Sequence, residues 1–535
     1  WAAPFTLSWD MSAANTGVAH RSQTAAGPNL LILMDFSSGG SRCGGGFEWN
    51  QDEPGSWERR SYPPTLESRG EATCLENPDC ENPDGGACLS TLGDAITREA
   101  EACIRAEVPA PGSTSVARAL ALAIFLFTYV FIAGVRLPFP RLDRPGGALV
   151  GAVLMVVAGV VTPAEVFNHS EQTSRHAVDL DTLVLLLGMM VLADYLSRAS
   201  FFRAAGAFAL RKAHTPRLLL VVVACTSAFL SAFLVNDTVC LMLTPLVLVV
   251  VEEARLPPVP YLLAVCMASN SGSVATFTGN PQNMLIQGAS HLPYAQFAAY
   301  MALPALLSTA VVIGGLLFVY RKELSHERFT THPAATEVDR PLLGLTLGVL
   351  LGVVAAFFVG LPMSWSALAG AAVVMTLARR VEPREALERV DWVLLLFFAS
   401  LFVVVYGVNK AGWAEHIHRL FSPLLSGPPV REMLGFAGLT LVASNVFSNV
   451  PFVMLARPWV PGLSDPTLGW HVLALGSTLA GNLTLVGSVA NLIVFEAARG
   501  KASLSFMGYL RVGLPITLVS FVLGLAVLLA EHALF

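Results

Sequence analysis

The sequence predicts an all-α polytopic membrane protein built from an inverted repeat, with two re-entrant hairpins and two broken transmembrane helices. Of its 535 residues, 54% are hydrophobic and only 13% are charged, whereas a soluble domain carries roughly 25% charged residues. Apolar segments long enough to span a bilayer recur along most of the chain. Four of these segments are interrupted by small, amide and glycine residues, and the interruptions occur twice in the same order.

Residues 1–114 differ in composition and predict an extension outside the membrane. They are rich in Gly, Pro, Ser and acidic residues. We expect a poorly ordered, extracytoplasmic segment, where cysteines are able to form disulfides and an odd number leaves one thiol over. The alternative is a folded, ligand-binding ectodomain of a membrane-anchored sensor. The cysteines of this extension are Cys43, Cys74, Cys80, Cys88 and Cys103.

Residues 115–320 are predicted to form the first membrane half. The segment 218–251 is too long for one span and carries a polar cluster at its centre, so it predicts a re-entrant hairpin. Residues 197–217 resemble an amphipathic helix at the membrane surface. The predicted spans and hairpin are 116–135, 146–161, 180–196, 218–251, 261–286 (broken) and 297–320.

Residues 321–340 predict a charged cytoplasmic linker, and residues 341–535 a second membrane half. This half again contains a surface helix, starting at Asn409, and a hairpin followed by a broken span. The predicted elements are 341–359, 365–377, 393–408, 433–460 (hairpin), 470–497 (broken) and 507–530.

The two halves contain matching copies of one unit, at about 178–290 and 391–498. Duplicated broken-helix units are typical of transporters whose binding site lies at the repeat interface. Clusters of Lys and Arg place the loops of one membrane side in the cytoplasm and give the two copies opposite orientations. The paired positions are Asp181 and Asp391, Asn236 and Asn449, Pro245 and Pro458, and Gly279 and Gly487.

The polar interruptions are where we expect ligands to bind. Half-helix N-termini offer free N–H groups and a positive dipole end to an anion. Unwound carbonyls, hydroxyls and amide oxygens suit a hard cation such as Na⁺. The predicted binding residues of the first copy are Ser231, Asn236, Asp237, Thr238, Ser269, Asn270, Thr278, Gly279, Asn280 and Asn283. Those of the second copy are Ser444, Ser448, Asn449, Ser477, Thr478, Gly487, Ser488 and Asn491.

Within this set, two groups of three residues are candidate sodium ligands. Each group combines a serine one helical turn before the cluster, the central asparagine, and a glycine that lets the backbone approach a ligand closely. The groups are Ser231, Asn236 and Gly279, and Ser444, Asn449 and Gly487.

Asp237 is the residue that distinguishes the two copies, because its counterpart is Val450. An ionisable side chain inside an apolar segment marks a functional site by default. We hypothesise that Asp237 binds a coupling ion or carries a proton, and the alternative is that it caps the following half-helix. Asn283 and Asn491 are expected either to cap the resumed half-helices or to hydrogen-bond across the breaks.

Several function classes find no support in the sequence. The chain shows no nucleophile–His–acid set and no Gly-rich nucleotide cradle with its lysine. It also has no basic run that would suggest nucleic acid, and its net charge is −5. We therefore expect neither an enzyme nor a nucleic-acid-binding protein, and no cofactor apart from Na⁺ or H⁺ as a coupling ion.

The repeated segments resemble the ion-transporter superfamily, which includes arsenite-pump membrane subunits, D-type sodium/proton antiporters, citrate transporters, the melanosomal P protein and divalent-anion/sodium symporters. The resemblance is strongest to bacterial anion permeases and extends from about Arg118 to the C-terminus. It rests on LVNDTVCLMLTPLVL with SNSGSVATFTGNPQNMLI, and on SNVPFVML with STLAGNLTLVGSVANLIV.

The resemblance implies specific roles for these segments. In the divalent-anion symporters, a Ser-Asn-Thr motif at each hairpin tip and a Gly-Thr-Pro-Pro-Asn-like break build two sodium sites around a carboxylate. The corresponding tips here are 235–238 and 448–450, and the breaks are 278–283 and 486–491. The second tip lacks the threonine, and the second break lacks both prolines. The family also implies a homodimer in which a transport half slides against a scaffold half.

Together these observations predict a secondary active transporter, or permease, in the plasma (inner) membrane. It would carry a small anionic solute, coupled to sodium or protons by alternating access. The alternatives are a sodium/proton antiporter, an arsenite efflux permease, or the membrane-anchored sensor.

Overall fold

The structure of the protein, a computed structural model, describes two compact units, Trp1–Ala110 and Pro111–Phe535. In the first unit it describes the backbone of residues 18–22, 30–35, 42–49 and 57–59. In the second unit it describes residues 115–132, 142–167, 177–324 and 337–534, without the side chains of 208–212.

The described part of the first unit is an antiparallel sheet of four strands in sequential order. This sheet was not predicted, because the three glycines of the third strand have low β-propensity. The five cysteine side chains lie outside the described residues, so disulfides and an extracytoplasmic position stay predictions. The strands are β1 (Val18–Ser22), β2 (Leu30–Asp35), β3 (Arg42–Trp49) and β4 (Trp57–Arg59).

The second unit is all-α in its described residues, which confirms the predicted fold class. Its first half contains α1 (Ser115–Ile132), α2 (Arg144–Val157), α3 (Pro163–Phe167), α4 (Leu180–Arg198), α5 (Phe201–Lys212), α6 (Pro216–Phe233), α7 (Asn236–Glu253), α8 (Pro258–Ser273), a 3₁₀ turn (Phe277–Gly279), α9 (Pro281–Ser290) and α10 (Tyr294–Val319).

Its second half repeats the same order of elements. It contains α11 (Arg340–Val359), α12 (Met363–Leu377), α13 (Pro383–Glu388), α14 (Trp392–Lys410), α15 (Trp413–Phe421), α16 (Pro429–Phe447), α17 (Asn449–Ala456), a 3₁₀ turn (Val460–Gly462), α18 (Pro466–Ala480), α19 (Val489–Ala497) and α20 (Phe506–Leu534).

Several helices are long and apolar enough to cross a membrane. Among the described residues there are seven of these, namely α1, α4, α6, α10, α11, α14 and α20. The apolar helices α2 and α12 are shorter. The protein is therefore a multi-pass membrane protein, as its composition predicts.

Acidic N-caps fix where many of these helices begin. Asp143, Asp339 and Asp465 each accept a hydrogen bond from the backbone three residues on, and each is followed closely by proline at the helix start. Asp179 and Asp391 cap α4 and α14 in the same way, with bonds of 3.0 Å and 2.9 Å. The counterpart of Asp391 is thus Asp179, and the predicted pairing with Asp181 is wrong by two residues.

The hairpins pack beside the broken helices. Helix α6 lies against α8, and α16 lies against α18, so each hairpin shares an interface with the first arm of the break in its own copy. Helix α10 packs against α20, α4 against α12, and α14 against α2. The second hairpin differs from the prediction, because its returning arm α17 ends at Ala456 whereas α7 continues through Pro245 to Glu253.

Candidate functional site

Each hairpin turns at a tip of one or two residues, immediately before an asparagine. The first tip joins Phe233 to Asn236 through two extended residues. The second joins Phe447 to Asn449 through Ser448 alone, which has φ 62° and ψ 156°. That conformation is essentially restricted to glycine, and a serine held there stores strain of the kind found at functional sites.

Each broken helix is interrupted by a segment of similar length and resumes at a polar cap. The first break separates Ser273 from Pro281 and contains the 3₁₀ turn, and Asn280 accepts a 2.8 Å bond from Asn283 N. The second break separates α18 from α19, and Ser488 accepts a 3.2 Å bond from the backbone of α19. Asn280 and Ser488 are therefore equivalent N-caps.

Asn283 and Asn491 bridge the two breaks in the same way. The Asn283 side-chain amide donates to the carbonyls of Ser273 at 3.1 Å and Thr276 at 3.0 Å. The Asn491 amide donates to the carbonyls of Gly481 at 2.7 Å and Thr484 at 3.0 Å. Of the two roles predicted for these residues, the structure shows hydrogen bonding across the break, where it satisfies carbonyls that the helix leaves free.

The two breaks also contact each other reciprocally. Asn270, in the arm before the first break, donates to Asn491 Oδ1 at 3.2 Å and accepts from Ser488 Oγ at 3.2 Å. Thr478, in the arm before the second break, accepts from Asn280 Nδ2 at 3.2 Å and donates to Asn283 Oδ1 at 3.5 Å. Each first arm thus meets the cap and the bridging asparagine of the other copy, as expected of a pseudo-two-fold arrangement.

The first tip is attached to this network by three buried hydrogen bonds. Asn236 Nδ2 donates to Asn270 Oδ1 at 3.0 Å. Ser269 Oγ donates to the Asn236 carbonyl at 3.2 Å and lies 2.7 Å from Ser231 Oγ. Four residues predicted from the first copy are therefore brought together at one point.

Three oxygens at the tips are buried without a protein partner. They are Asn236 Oδ1, Asn449 Oδ1 and Ser444 Oγ. The exposed fractions of their residues are 4%, 7% and 0%. Because an unpaired buried acceptor costs about 1–3 kcal/mol, such atoms indicate where a ligand supplies the missing contact. Neutral amide and hydroxyl oxygens are ligands that a hard cation accepts.

The two glycines of the predicted sodium groups differ in how tightly they are enclosed. A Cβ on Gly279 would overlap the backbone of Ser273, so the first break requires glycine here. A Cβ on Gly487 would lie 3.0 Å from Thr484 Oγ1, a tight contact with a side chain. Sodium binding by the two groups stays a prediction.

Asp237 lies in the first turn of α7 and is 6% exposed. The N-cap of this helix is Val235, and no side chain caps it. The alternative that Asp237 caps the half-helix is therefore wrong, and the ion or proton hypothesis stays a prediction. An acid in this position is favoured by the positive end of the helix dipole.

Three other predicted residues sit outside the amide network. Thr238 is half-buried at the start of α7. Thr278 Oγ1 lies 3.3 Å from the Tyr294 hydroxyl, which connects the first break to α10. The Ser477 hydroxyl donates to the Leu473 carbonyl of its own helix at 2.6 Å.

The structure adds two asparagines that were not among the predicted binding residues. Asn482 accepts from Asn270 at 3.0 Å and donates to the Met267 carbonyl at 3.0 Å, between the two broken helices. Asn445 donates to the Ala480 carbonyl at 3.0 Å and accepts from Thr484 at 3.2 Å. Both were visible as amides inside apolar segments, the feature that identified Asn236.

A large cavity of about 1350 Å³ lies away from the tips and breaks. Its walls are mainly aliphatic side chains of α2, α4, α9 and α14, with the Asp179–Arg457 ion pair of 3.9 Å at one edge. None of the tip or break residues described above lines it. We assign the candidate site to the tips and breaks, because three buried unpaired oxygens lie at or one turn before the tips, where the amide network joins the two copies.

Chelation by acidic or sulfur side chains has no geometric support in this unit. In the part of the chain that the structure describes, no group of three or more His, Cys, Asp or Glu side chains is placed to hold a metal ion. The polar side chains of the tips and breaks are neutral amides and hydroxyls, apart from the carboxyl group of Asp237. The arrangement is suited to hydrogen-bonding a small solute or coordinating an alkali cation.

Comparisons with known proteins point to transporters. The family model for citrate transporters matches residues 127–480. The silicon efflux transporter LSI3 of Oryza sativa is 32% identical, covering 73% of this chain and 93% of its own. A transporter of Dictyostelium discoideum named arsB is 27% identical, covering 72% and 87%. The solved YdaH transporter of Alcanivorax borkumensis is 18% identical, with a TM-score of 0.49, covering 77% of this chain and 97% of its own.

Proposed function

The chain belongs to the citrate transporter family, and we propose that it is a secondary active transporter that moves a small anionic solute by alternating access. The solute binds between the two tips and the two breaks. Its movement is coupled to sodium or to protons, so that an ion gradient drives transport without a nucleotide.

The observation that carries this proposal is the set of unpaired buried oxygens at the tips. The amide oxygens of Asn236 and Asn449 only accept, and the Ser444 hydroxyl oxygen is free to accept. A cation therefore satisfies all three atoms directly. The N-termini of α7 and α17 begin at the same two asparagines and present positive dipole ends to an anion. A bound cation and these two helix ends together offset the charge of an anionic solute.

Alternating access follows from an inverted arrangement of the two copies. The reciprocal contacts of Asn270 and Thr478 support a two-fold relation between the copies. The distribution of Lys and Arg in the loops supports opposite insertion. One hairpin then opens toward each side of the plasma membrane, and the transporter works as a homodimer in the bilayer.

A second candidate is efflux of a small neutral hydroxylated solute such as arsenous acid. The named side chains of the tips and breaks carry no positive charge, and their amides both donate and accept. Such groups complement the hydroxyls of an uncharged solute without a coupling cation. The relatives named for silicon efflux and arsB favour the same class, and Asp237 would then be the proton-exchanging group.

Reconstitution in proteoliposomes distinguishes these candidates. Uptake of citrate, other carboxylates, arsenite and silicic acid is measured under separately imposed sodium and pH gradients. An anion transporter accumulates a carboxylate under one of the two gradients. The neutral-solute candidate predicts movement of arsenite or silicic acid only, driven by the pH gradient. The transport proposal is overturned if no solute of either class moves in vesicles that contain folded protein.

Variants of the tip asparagines test the site itself. Asn236→Ala and Asn449→Ala each remove one unpaired oxygen, and we expect each to lower the initial rate at least about tenfold, equivalent to one lost charge-assisted contact. Ser520→Ala is the matched control, because its hydroxyl is also buried and unpaired but lies on α20. Equal losses in all three variants would reject the assignment of the site.

A further inference from the structure

The large cavity lies between helices that belong to two different packing groups. Helices α9 and α17 line it, and they pack on each other and on α18, the first arm of the second broken helix. Helices α2, α4 and α14 also line it, and among these α2 packs on α14 whereas α4 packs on α12. A contact across the cavity therefore joins the helices that carry the candidate site to the helices beside them.

An ion pair makes such a contact at one edge of the cavity. Arg457 is the C-cap of α17, and Asp179 is the N-cap of α4. Arg457 Nη1 lies 3.9 Å from Asp179 Oδ2, and the two side chains are 26% and 20% exposed. The pair connects the second hairpin to the first membrane half, and its partial burial screens it less than a surface pair.

The two carboxylate oxygens of Asp179 have separate roles. Oδ1 accepts a 3.0 Å bond from Thr182 N and so caps α4. Oδ2 faces Arg457, and it lies 3.6 Å from the point that a Cβ on Gly288 of α9 would occupy. One side chain at the start of α4 therefore adjoins both α9 and α17.

Helix α17 connects the ion pair to the second tip. It contains eight residues, all buried, and begins at Asn449, so its end lies about 12 Å from the tip along the helix axis. The same end is bound by Asn409 Nδ2, which donates to the Met454 carbonyl at 3.3 Å. Because a closely packed interior transmits displacements, a shift of Arg457 moves Asn449 as well.

The other copy of the repeat has no equivalent ion pair. The cap equivalent to Asp179 is Asp391, and the position equivalent to Arg457 is Thr244, immediately before Pro245. The Thr244 hydroxyl donates to the Cys240 carbonyl of its own helix at 2.6 Å. The attraction between a cap and a returning hairpin arm thus exists on one side of the repeat only.

We propose that Asp179 and Arg457 form a latch, a positioning pair that keeps α17 docked on α4 and thereby fixes this edge of the cavity and the second tip. The part that concerns the tip rests on the site proposed above, whereas the docking of α17 does not. A partly exposed ion pair is weak enough to break and re-form during a transport cycle. Its release allows α4 and α17 to separate at this edge.

The surrounding charges leave the latch without a described substitute. Asp181 also lines the cavity, but its Oδ1 accepts a 2.7 Å bond from Ser364 Oγ of α12. His291, which follows α9, lines the cavity as well. Among the described residues, Arg457 is the only Lys or Arg side chain in the cavity wall. Removing either charge of the pair should therefore release it.

Thiol labelling inside the cavity tests the latch without a solute or an ion gradient. Ser400 lies on α14 in the cavity wall and is buried. In the full chain without its native cysteines, the reaction rate of Ser400→Cys with a water-soluble methanethiosulfonate reports how far the edge opens. Asp179→Asn removes the charge and keeps a capping side chain, and Arg457→Gln removes the partner.

Each of these two variants should raise the labelling rate about two- to fivefold, the effect of losing one partly exposed ion pair. The double variant should react no faster than either single variant, because both remove the same interaction. Asp391→Asn is the matched control, since Asp391 caps α14 through a 2.9 Å bond from Leu394 N. It should leave the rate unchanged.

Salt provides a readout that a purely capping role of Asp179 would not affect. In about 1 M choline chloride the Debye length falls to roughly 3 Å. The rate of the protein with an intact pair should then rise toward that of the variants, whose own rates should stay the same. The proposal is overturned if the single effects add in the double variant, if Asp391→Asn accelerates labelling equally, or if no variant reacts faster.

Hydrogen exchange of a peptide covering residues 447–456 tests the link to the second tip. Exchange should be faster in Asp179→Asn than in the wild-type protein, and equal exchange would refute the link. Neither measurement requires transport, so a failed latch leaves the transport proposal standing. Conversely, an absence of transport in proteoliposomes leaves the labelling result unaffected.

Discussion

At the scale of single residues, the two bridging asparagines best define the site. Asn283 and Asn491 each hold two backbone carbonyls that the interrupted helices leave free. Both are fully buried, so water does not replace these bonds when the amide is lost. The equivalence of their contacts shows that the chain repeats the hydrogen-bonding scheme of the break as well as its amino acids.

Asn283→Ala and Asn491→Ala should each lower the free energy of unfolding by about 1–3 kcal/mol, because each loses two buried hydrogen bonds to backbone carbonyls. Thermal unfolding in detergent provides the measurement, and the losses should be similar. Asn409→Ala, which removes one side-chain bond to the Met454 carbonyl, is the control and should cost less. A small change in the free energy of unfolding for either bridging residue would show that other donors replace its hydrogen bonds to the two carbonyls.

Ser448 gives a second prediction at this scale. Its φ of 62° and ψ of 156° are tolerated by glycine. Ser448→Gly should therefore keep or raise thermal stability by about 1–2 kcal/mol, whereas Ser448→Val should lower it by at least as much. If the strain serves transport, the glycine variant is more stable but slower in proteoliposomes. A glycine variant less stable than Ser448→Val would contradict the conformation of the second tip.

At the scale of helices and turns, the sequence predicted the positions of the helix interruptions more accurately than the ends of the helices. Asn236 and Asn449 interrupt apolar runs, and the structure ends a helix within three residues of each. The early end of α17 and the cap at Asp179 were missed, since both depend on tertiary contacts and capping geometry that a single sequence does not display. The contact of Asp179 with Arg457 was also missed, because these residues become neighbours only when the two membrane halves pack together.

An ion pair between elements gives a prediction about pH. Glu165 on α3 contacts Lys410 at the end of α14 at 2.8 Å, and also binds Thr162. Partial burial alone would raise the pKa of Glu165, but the hydrogen bonds from Lys410 and Thr162 outweigh it and hold the pKa below its usual value. This contact therefore stabilises the fold above the ordinary glutamate pKa, and the contribution disappears as the pH falls through the folded-state value.

Thermal unfolding at neutral pH and at about pH 4 tests this contact. The Glu165→Gln variant should be less stable than the wild-type protein at neutral pH and almost equally stable at acid pH. The difference between their unfolding temperatures therefore narrows as the pH falls. Glu388→Gln removes the exposed pair with Arg384 and should change little at either pH. A gap that widens toward acid would mean that Glu165 is protonated in the folded protein.

At the scale of the whole molecule, family membership and the multi-pass helical fold agree with what the sequence predicted. The sequence does not identify the solute or the coupling ion, for a physical reason. Asn236 and Asn449 present amides that either donate or accept, so their identity alone does not select an anion, a neutral solute or a cation. The Arg and Lys pattern predicts an orientation for each half, but the direction of net movement depends on gradients rather than on the fold.

Two oppositely inserted copies are proposed to open the same site alternately to the two sides of the membrane. The most direct measurement is labelling of single cysteines introduced beside the tips, at Thr238 and Ser448, in a background without the native cysteines. A membrane-impermeant maleimide is applied to oriented proteoliposomes from outside, or is enclosed inside them. We predict that both positions react from one side under one ion gradient and from the other side when the gradient is reversed, because the site between the tips opens to one side at a time. Reaction of both from the same side under every condition would contradict the account.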